Sequence, residues 1–385
     1  MKSLNSVDML ARLVAFPTVS RDSNLPLIDW VEDYLEPFGA RCRRTWNAEQ
    51  TKANLFAAIG PDAPGGVVLS GHTDVVPVDD QDWQSDPFKL TERDGLLYGR
   101  GAADMKGFSA VFLSRLASLN IPAMKKPLCL ALSYDEEVGC LGVDAMVDDA
   151  LSHFPKPEFA IIGEPTTMQP VRSHKSVNVF RTVVTGQAAH SSQPHRGGGA
   201  IIAAARIIDY LDRLGRSRRA QAGDAGCEPP WTTVQVGTIQ GGTAVNILPA
   251  HCEFLWEYRG LADEDPNSII EAMQKFIQSE VLPDLREFAP KASIETTALA
   301  RVPPLTADQE AKAEDWVRGL RGVREGGSGE VSFATEAGSF QRAGISSVVC
   351  GPGSIDQAHQ PNEFIDPSEL KRCEVMIDDV FAHLN

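Results

Sequence analysis

The chain carries eight histidines and 52 carboxylates in 385 residues, and the few that could work together follow a pattern. Metal-ligand residue types stand just past short apolar runs. His72 and Asp74 follow VVLSG, Glu136 and Glu137 follow LCLALSYD, Glu164 follows FAIIG, and His359 follows SSVVCGPGSIDQA. Asp104 stands in a Gly-rich loop, GRGAADMKG, ahead of a helical stretch. Each has a plain reading when taken singly. His-x-Asp is a strand-end turn with a solvated Asp, Glu136-Glu137 a solvated loop pair, Glu164 a turn cap before Pro165, and His359 a hydrogen-bonded loop histidine. As a set they call for a cation, because carboxylates converging on one crevice repel one another unless something positive holds them. Two His and several carboxylates without Cys suit zinc, cobalt or manganese in a hydrolytic site. One Asp bridging two ions about 3.5–4 Å apart would clamp a water and a carbonyl. A further carboxylate beside the ions would take the proton of that water.

Convergence of this kind needs an open sheet whose strands end together. The runs Val67 to Leu69, Leu128 to Leu132, Phe159 to Ile162 and Ser347 to Cys350 are short, apolar and closed by Gly or polar clusters, so they predict strands buried on both faces. Residues 6–15, 25–38 and 106–119 predict helices between them, the last with Phe108, Val111, Phe112, Leu116 and Leu119 on one side. The fold expected is α/β, a mostly parallel sheet with helices on both faces. In such a sheet the ligands at the strands' carboxyl ends share one crevice. Asp366-Pro367-Ser368-Glu369 marks the start of a C-terminal helix.

The middle of the chain changes character. Strand-like runs at 176–186, 231–240, 250–259 and 292–299 alternate with helical stretches at 198–215 and 266–281. The first of these helices places Ile201, Ala204, Ala205, Ile208 and Leu211 on one face. The order is that of a split βαβ, ferredoxin-like unit. Residues 173–300 thus form an inserted domain, and residues 1–172 and 301–385 form the metal-binding domain around it.

Lys+Arg total 36 against 52 Asp+Glu, a net charge of −16. That argues against nucleic acid, whose affinity rests on clustered Lys and Arg, and against an anionic membrane surface. No apolar run approaches 18 residues, and Asn5, Asp8 and Arg12 interrupt the first stretch, so neither a spanning helix nor a signal peptide is expected. The seven Cys are scattered singly with no CxxC pair, which excludes thiolate zinc and dithiol redox motifs and points to a reducing, cytoplasmic setting. There is no GxSxG elbow, no GxxxxGK loop and no GxGxxG after a strand, and GGSG at 326–329 reads as a loop.

GHTDVVP (71–77), GRGAADMKG (99–107), DEEVG (135–139), GEPT (163–166) and AHQPNEF (358–364) resemble the signature blocks of the M20 metallopeptidases. The resemblance spans essentially the whole chain, and it is nearest to the family's acetylornithine-deacetylating branch through LVAFPTVSRDSNLPLIDWVEDYL, ATEAGSFQRAGI and GPGSIDQAHQPNEF. It implies two metal ions per chain, zinc by preference with cobalt as a substitute. His72 and Glu164 would hold one ion, Glu137 and His359 the other, with Asp104 bridging. Glu136 would be the general base, and Asp74 would accept from the far nitrogen of His72. A cis peptide after Asp104 is also implied. In the inserted domain His190 would reach across a homodimer to the partner's site, and Asn246 and Arg259 would lie near the substrate. Read on their own, these three are a surface residue, a turn residue and a sheet salt-bridge partner. The activity implied is removal of the acetyl group from N2-acetyl-L-ornithine, a small N-acyl amino acid, as in arginine biosynthesis. Glu336, in ATEAGSF, would meet the substrate ammonium, or else be a loop residue or a neighbour of the metals. The alternatives are other M20 deacylations (succinyl-diaminopimelate, acetylcitrulline, general aminoacylase or carboxypeptidase) and a non-catalytic small-molecule-binding relative, against which the full ligand set counts.

Overall fold

The computed structural model describes residues 4–223, 226–307, 312–326 and 329–385, so Gly327 and Ser328 of the GGSG stretch lie outside the described residues. The chain divides into two compact units. One comprises Met1–Ser173, Leu305–Glu330 and Thr335–Asn385; the other comprises His174–Pro304 and Val331–Ala334. No helix among the described residues is long and apolar enough to cross a membrane.

The first unit is built on a six-stranded sheet. Strand Val67–His72 pairs in parallel with Leu128–Ser133 on one side and Phe159–Pro165 on the other, and Ser346–Gly351 continues in parallel beyond the latter. Ala53–Ile59 and Arg41–Trp46 extend the opposite edge in antiparallel fashion. Every residue of strands 53–59, 67–72, 128–133 and 159–165 is buried, which requires cover on both faces.

Helix Lys106–Arg115 departs from the one-sided pattern read from its sequence. Lys106 to Ser114 are all buried, because the helix is enclosed by the sheet and by helices Ser6–Val14 and Pro367–His383. A helix hydrophobic all round is an interior helix. Its contact with the sheet is so close that a Cβ on Gly163 would lie 2.0 Å from the Phe108 ring, so only glycine fits directly before Glu164. The C-terminal helix starts as its sequence implies, with Asp366 accepting from the Ser368 amide and Pro367 in the first turn.

The second unit is a four-stranded antiparallel sheet, ordered Thr233–Gly241, His251–Arg259, Val177–Thr185, Ser293–Val302. With its two helical segments this is the ferredoxin-like arrangement. Strand Val177–Thr185 alternates buried and open positions, and Phe180, Trp256 and Tyr258 stack beneath the helices. Helix Ala200–Ala220 buries Ala200, Ala203, Ala204, Ile207 and Leu211. The stripe is thus turned from the expected one, leaving Ala205 exposed and Ile202 69% exposed. Several neighbouring apolar residues made two stripes nearly equal in sequence, and sheet packing chose between them. The second helical segment also runs further than expected, from Ser268–Phe276 through a π-helical stretch Ile277–Val281 to Leu282–Phe288.

Candidate metal centre

The four parallel strands end side by side, and the candidate ligands stand at those ends. His72 closes strand Val67–His72, and Glu164 lies near the end of Phe159–Pro165. Glu136 and Glu137 follow Leu128–Ser133 in a turn, where the Gly139 and Cys140 amides both donate to the Glu136 carbonyl at 2.9 Å. Asp104 precedes helix Lys106–Arg115, and its peptide to Met105 is cis. His359 follows strand Ser346–Gly351 and a short turn.

The two oxygens of Asp104 face two different sets. Oδ1 lies 3.1 Å from His72 Nε2, which is 3.9 Å from Glu164 Oε1. Oδ2 lies 3.4 Å from His359 Nε2, which is 2.8 Å from Glu137 Oε2. Donors held 2.0–2.2 Å from one tetrahedral ion lie about 3.3–3.6 Å apart; Asp104 with each histidine comes near that spacing, while Glu164 stands wider and Glu137 is at hydrogen-bond distance from His359. His72, Asp104 and Glu137 offer donor atoms all within 4.8 Å of one another, as do His72, Glu136 and Glu164. Glu164 Oε1 is buried and has no hydrogen-bond donor, an orphaned acceptor that a cation would satisfy. The donor set therefore fits a pair of divalent ions.

Crowded acids shape the electrostatics. Burial pushes the carboxyls of Glu136 and Glu164 well above the usual range, and neighbouring acids add to it. Burial and then Asp104 push Glu137 up to about 7. His359 is pushed up to about 10 by Asp104 and Glu137. Burial opposes a charged His72, yet Asp104, Glu136 and Glu164 outweigh it and hold its pKa well above the ordinary value. Asp104 is held low against burial by His359 and His72. A bound cation would take over the role of the imidazolium charges and keep the carboxylates ionised.

Asp74 differs in detail from its expected part. The far nitrogen of His72, Nδ1, meets the Asp74 carbonyl at 2.8 Å, while the carboxylate lies 3.8 Å away. That carboxylate instead accepts from Ser20 Oγ (2.7 Å) and from the amides of Glu136 (3.1 Å) and Glu137 (3.3 Å). It fastens the loop that carries the two glutamates. Glu336 is 1% exposed, with Oε2 accepting from Ser70 Oγ at 3.3 Å and Oε1 unpartnered. Burial pushes its carboxyl up to about 7. A group so enclosed stands among the neighbours of the centre, the last of its expected alternatives, and helps to raise the carboxyl of Glu136.

In the second unit the structure brings His190 and Asn246 together. His190 pairs with Ile247, the Ser191 amide donates to the Asn246 carbonyl at 3.0 Å, and both side chains are exposed. His190 Nδ1 accepts from the Ser192 amide at 3.2 Å. Arg259 is not with them. It ends the strand that begins at His251, eight steps or about 26 Å away, and pairs with Glu257 at 3.2 Å.

Three participants escaped the sequence reading. Cys140 Sγ lies 3.3 Å from Glu136 Oε1. Arg100 and Glu363 form a fully buried ion pair at 2.8 Å. Both members of that pair stand inside the blocks GRGAADMKG and AHQPNEF, which was the available signal.

Residues 68–383 match the profile of peptidase family M20/M25/M40. An acetylornithine deacetylase of Myxococcus xanthus is 38% identical over 379 residues, covering 97% of this chain and 96% of the relative. That of Pasteurella multocida is 35% identical over 373 residues, covering 95% and 94%. Among solved structures, a dinuclear metal binding peptidase from the M20 family of Bacillus subtilis superposes with a TM-score of 0.66 at 16% identity, over 98% of this chain and 97% of that one. Such a centre on such a sheet defines a metal-dependent amide hydrolase. The chain belongs to peptidase family M20/M25/M40.

Proposed function

We propose that the protein removes the acetyl group from N2-acetyl-L-ornithine, giving ornithine and acetate, with two zinc ions per chain that cobalt can replace. The observation that carries the dinuclear reading is the division of Asp104, one oxygen toward His72 and Glu164, the other toward His359 and Glu137. The substrate reading is supported by the two full-length relatives named acetylornithine deacetylase.

When bound, the ions supply Lewis acidity to the amide carbonyl and acidify a water. Glu136 takes the proton of the attacking water and passes it to the leaving amine nitrogen. Burial raises its carboxyl above the usual carboxylate range, the direction a general base for water needs. Asp74 keeps Glu136 and Glu137 in place through their amides. Arg259 pairs with the substrate α-carboxylate, for which a guanidinium has two parallel donors. A small substrate cannot touch both Arg259 and His190 of one chain when about 26 Å of strand separates their ends of the sheet. As the family resemblance implies, we assign the oxyanion contact to the partner's His190, with the partner's Asn246 beside it, in a homodimer formed through residues 173–300.

The test is a substrate panel at fixed metal. Metal-free protein should be inactive and regain turnover with zinc or cobalt, with acetylornithine cleaved ahead of acetylcitrulline and succinyl-diaminopimelate. Full activity without metal would refute the centre, and preference for the succinyl compound would refute the substrate.

A further inference from the structure

The loop that carries Asp104 and the segment that carries His359 are tied together by three residues outside the ligand set. Glu363 is buried, and its carboxylate accepts four hydrogen bonds. Oε1 takes the amides of Ala103 (2.9 Å) and Asp104 (3.0 Å). Oε2 takes the amide of Gly101 (2.9 Å) and Nη1 of Arg100 (2.8 Å). Arg100 donates further to the Gln360 carbonyl at 3.2 Å and, through Nη2, to Gln81 Oε1. Gln81 is half-buried, and its Nε2 donates to the carbonyl of His359 at 3.2 Å. His359 itself sits at φ +64°, a left-handed conformation that a histidine keeps only when its surroundings hold it there.

The two halves of the centre differ in what supports them. His72 and Glu164 are parts of buried strands. Glu137 and His359 stand on loops, and the side chain of His359 is 54% exposed. The second half has no strand to set its ligand spacing and relies on polar ties between its loops. We propose that Glu363, Arg100 and Gln81 are positioning residues that set the affinity of the Asp104–Glu137–His359 half for its ion. They hold the backbone of His359 and the loop of Asp104 at a fixed distance before metal arrives. This rests on the dinuclear reading above.

The test is zinc titration of the metal-stripped full chain against a competing chelator. Wild type should show two binding events. In Gln81→Leu, which keeps the size and removes both ties, and with them the acceptor of Trp83 Nε1, at a half-buried, uncharged position, one ion should bind about 10–100-fold more weakly, the usual cost of losing a partner behind a ligand. The other ion should bind as before, and thermal unfolding of the metal-free protein should not move. Glu363→Gln turns an amide NH2 toward donors now met by a carboxylate and should weaken the same ion further; because it also loosens the loop of Asp104, whose other oxygen faces His72, it should weaken the second ion to a lesser degree. If that variant does not fold, Gln81→Leu decides alone. Two ions bound by Gln81→Leu as tightly as by wild type would overturn the proposal. So would equal weakening of both ions together with a less stable metal-free protein, the mark of a merely structural role. Wild type taking up fewer than two ions would instead overturn the dinuclear reading on which the proposal rests.

Discussion

His72 and His190 sit in opposite surroundings. His72 is buried, with Nδ1 against a backbone carbonyl and Nε2 facing two carboxylates. His190 lies exposed on a loop of the second unit and is met by its own neighbour Ser192. The first environment sets a ring's tautomer and direction, as a metal ligand requires. The second leaves the ring exposed at the surface of its unit. Chemistry that must be held to fractions of an ångström is built where strands end in a packed core. Recognition is placed on loops, where substitution disturbs packing least.

The largest effect that could break this contrast is at the base. Glu136→Gln keeps the shape of the side chain but cannot take a proton, so kcat should fall about 10²–10⁴-fold with metal content unchanged. Glu137→Gln should instead lower metal content. Kinetics beside metal analysis on both variants check this, and exchanged behaviour would reverse the two roles.

The second unit should respond to acid through a different histidine. Burial pushes His174 down to about 4, against an ordinary value near 6.5. Between those values the unfolded chain takes a proton that the folded chain refuses, so stability falls as pH drops through that window. It is fully present above about 6.5 and the loss levels off below about 4, amounting to about 3 kcal/mol. Denaturant unfolding from pH 7 to 4 should show this slope in wild type and a flatter one in His174→Gln. Equal slopes would place the acid sensitivity elsewhere.

The smallest signal is the most specific to the recognition loop. Chains carrying His190→Ala and chains carrying Glu136→Gln should each be inactive alone. After mixing and subunit exchange, about one quarter of wild-type activity should return, since half the dimers are mixed and each has one complete site. No return despite proven exchange would place His190 within its own chain's site or outside the reaction.

Much of this was legible before folding. The runs at 67, 128, 159 and 347 are apolar, short and bounded by Gly or polar residues, so their strands could be read locally, and so could the ligand types past their ends. What stayed hidden depended on distant neighbours. Helix Lys106–Arg115 showed a stripe because Lys106, Ser109 and Ser114 are polar, yet all three are buried. The family resemblance pairs the Asp74 carboxylate with His72, while that carboxylate serves two amides 62 and 63 residues away.

The sequence alone determined the donor set, the strand-end positions and the interruption of one α/β unit by a ferredoxin-like one, because residue type and periodicity are properties of the local chain. The tertiary structure decided which strands became neighbours and thereby which oxygen of Asp104 faced which histidine. It decided that Glu336 would be sealed beneath the centre, and that Glu363 would bind loop amides about 260 residues before it. Those are long-range pairings, and each is selected by the free energy of packing and polar satisfaction over the whole fold rather than by any local pattern.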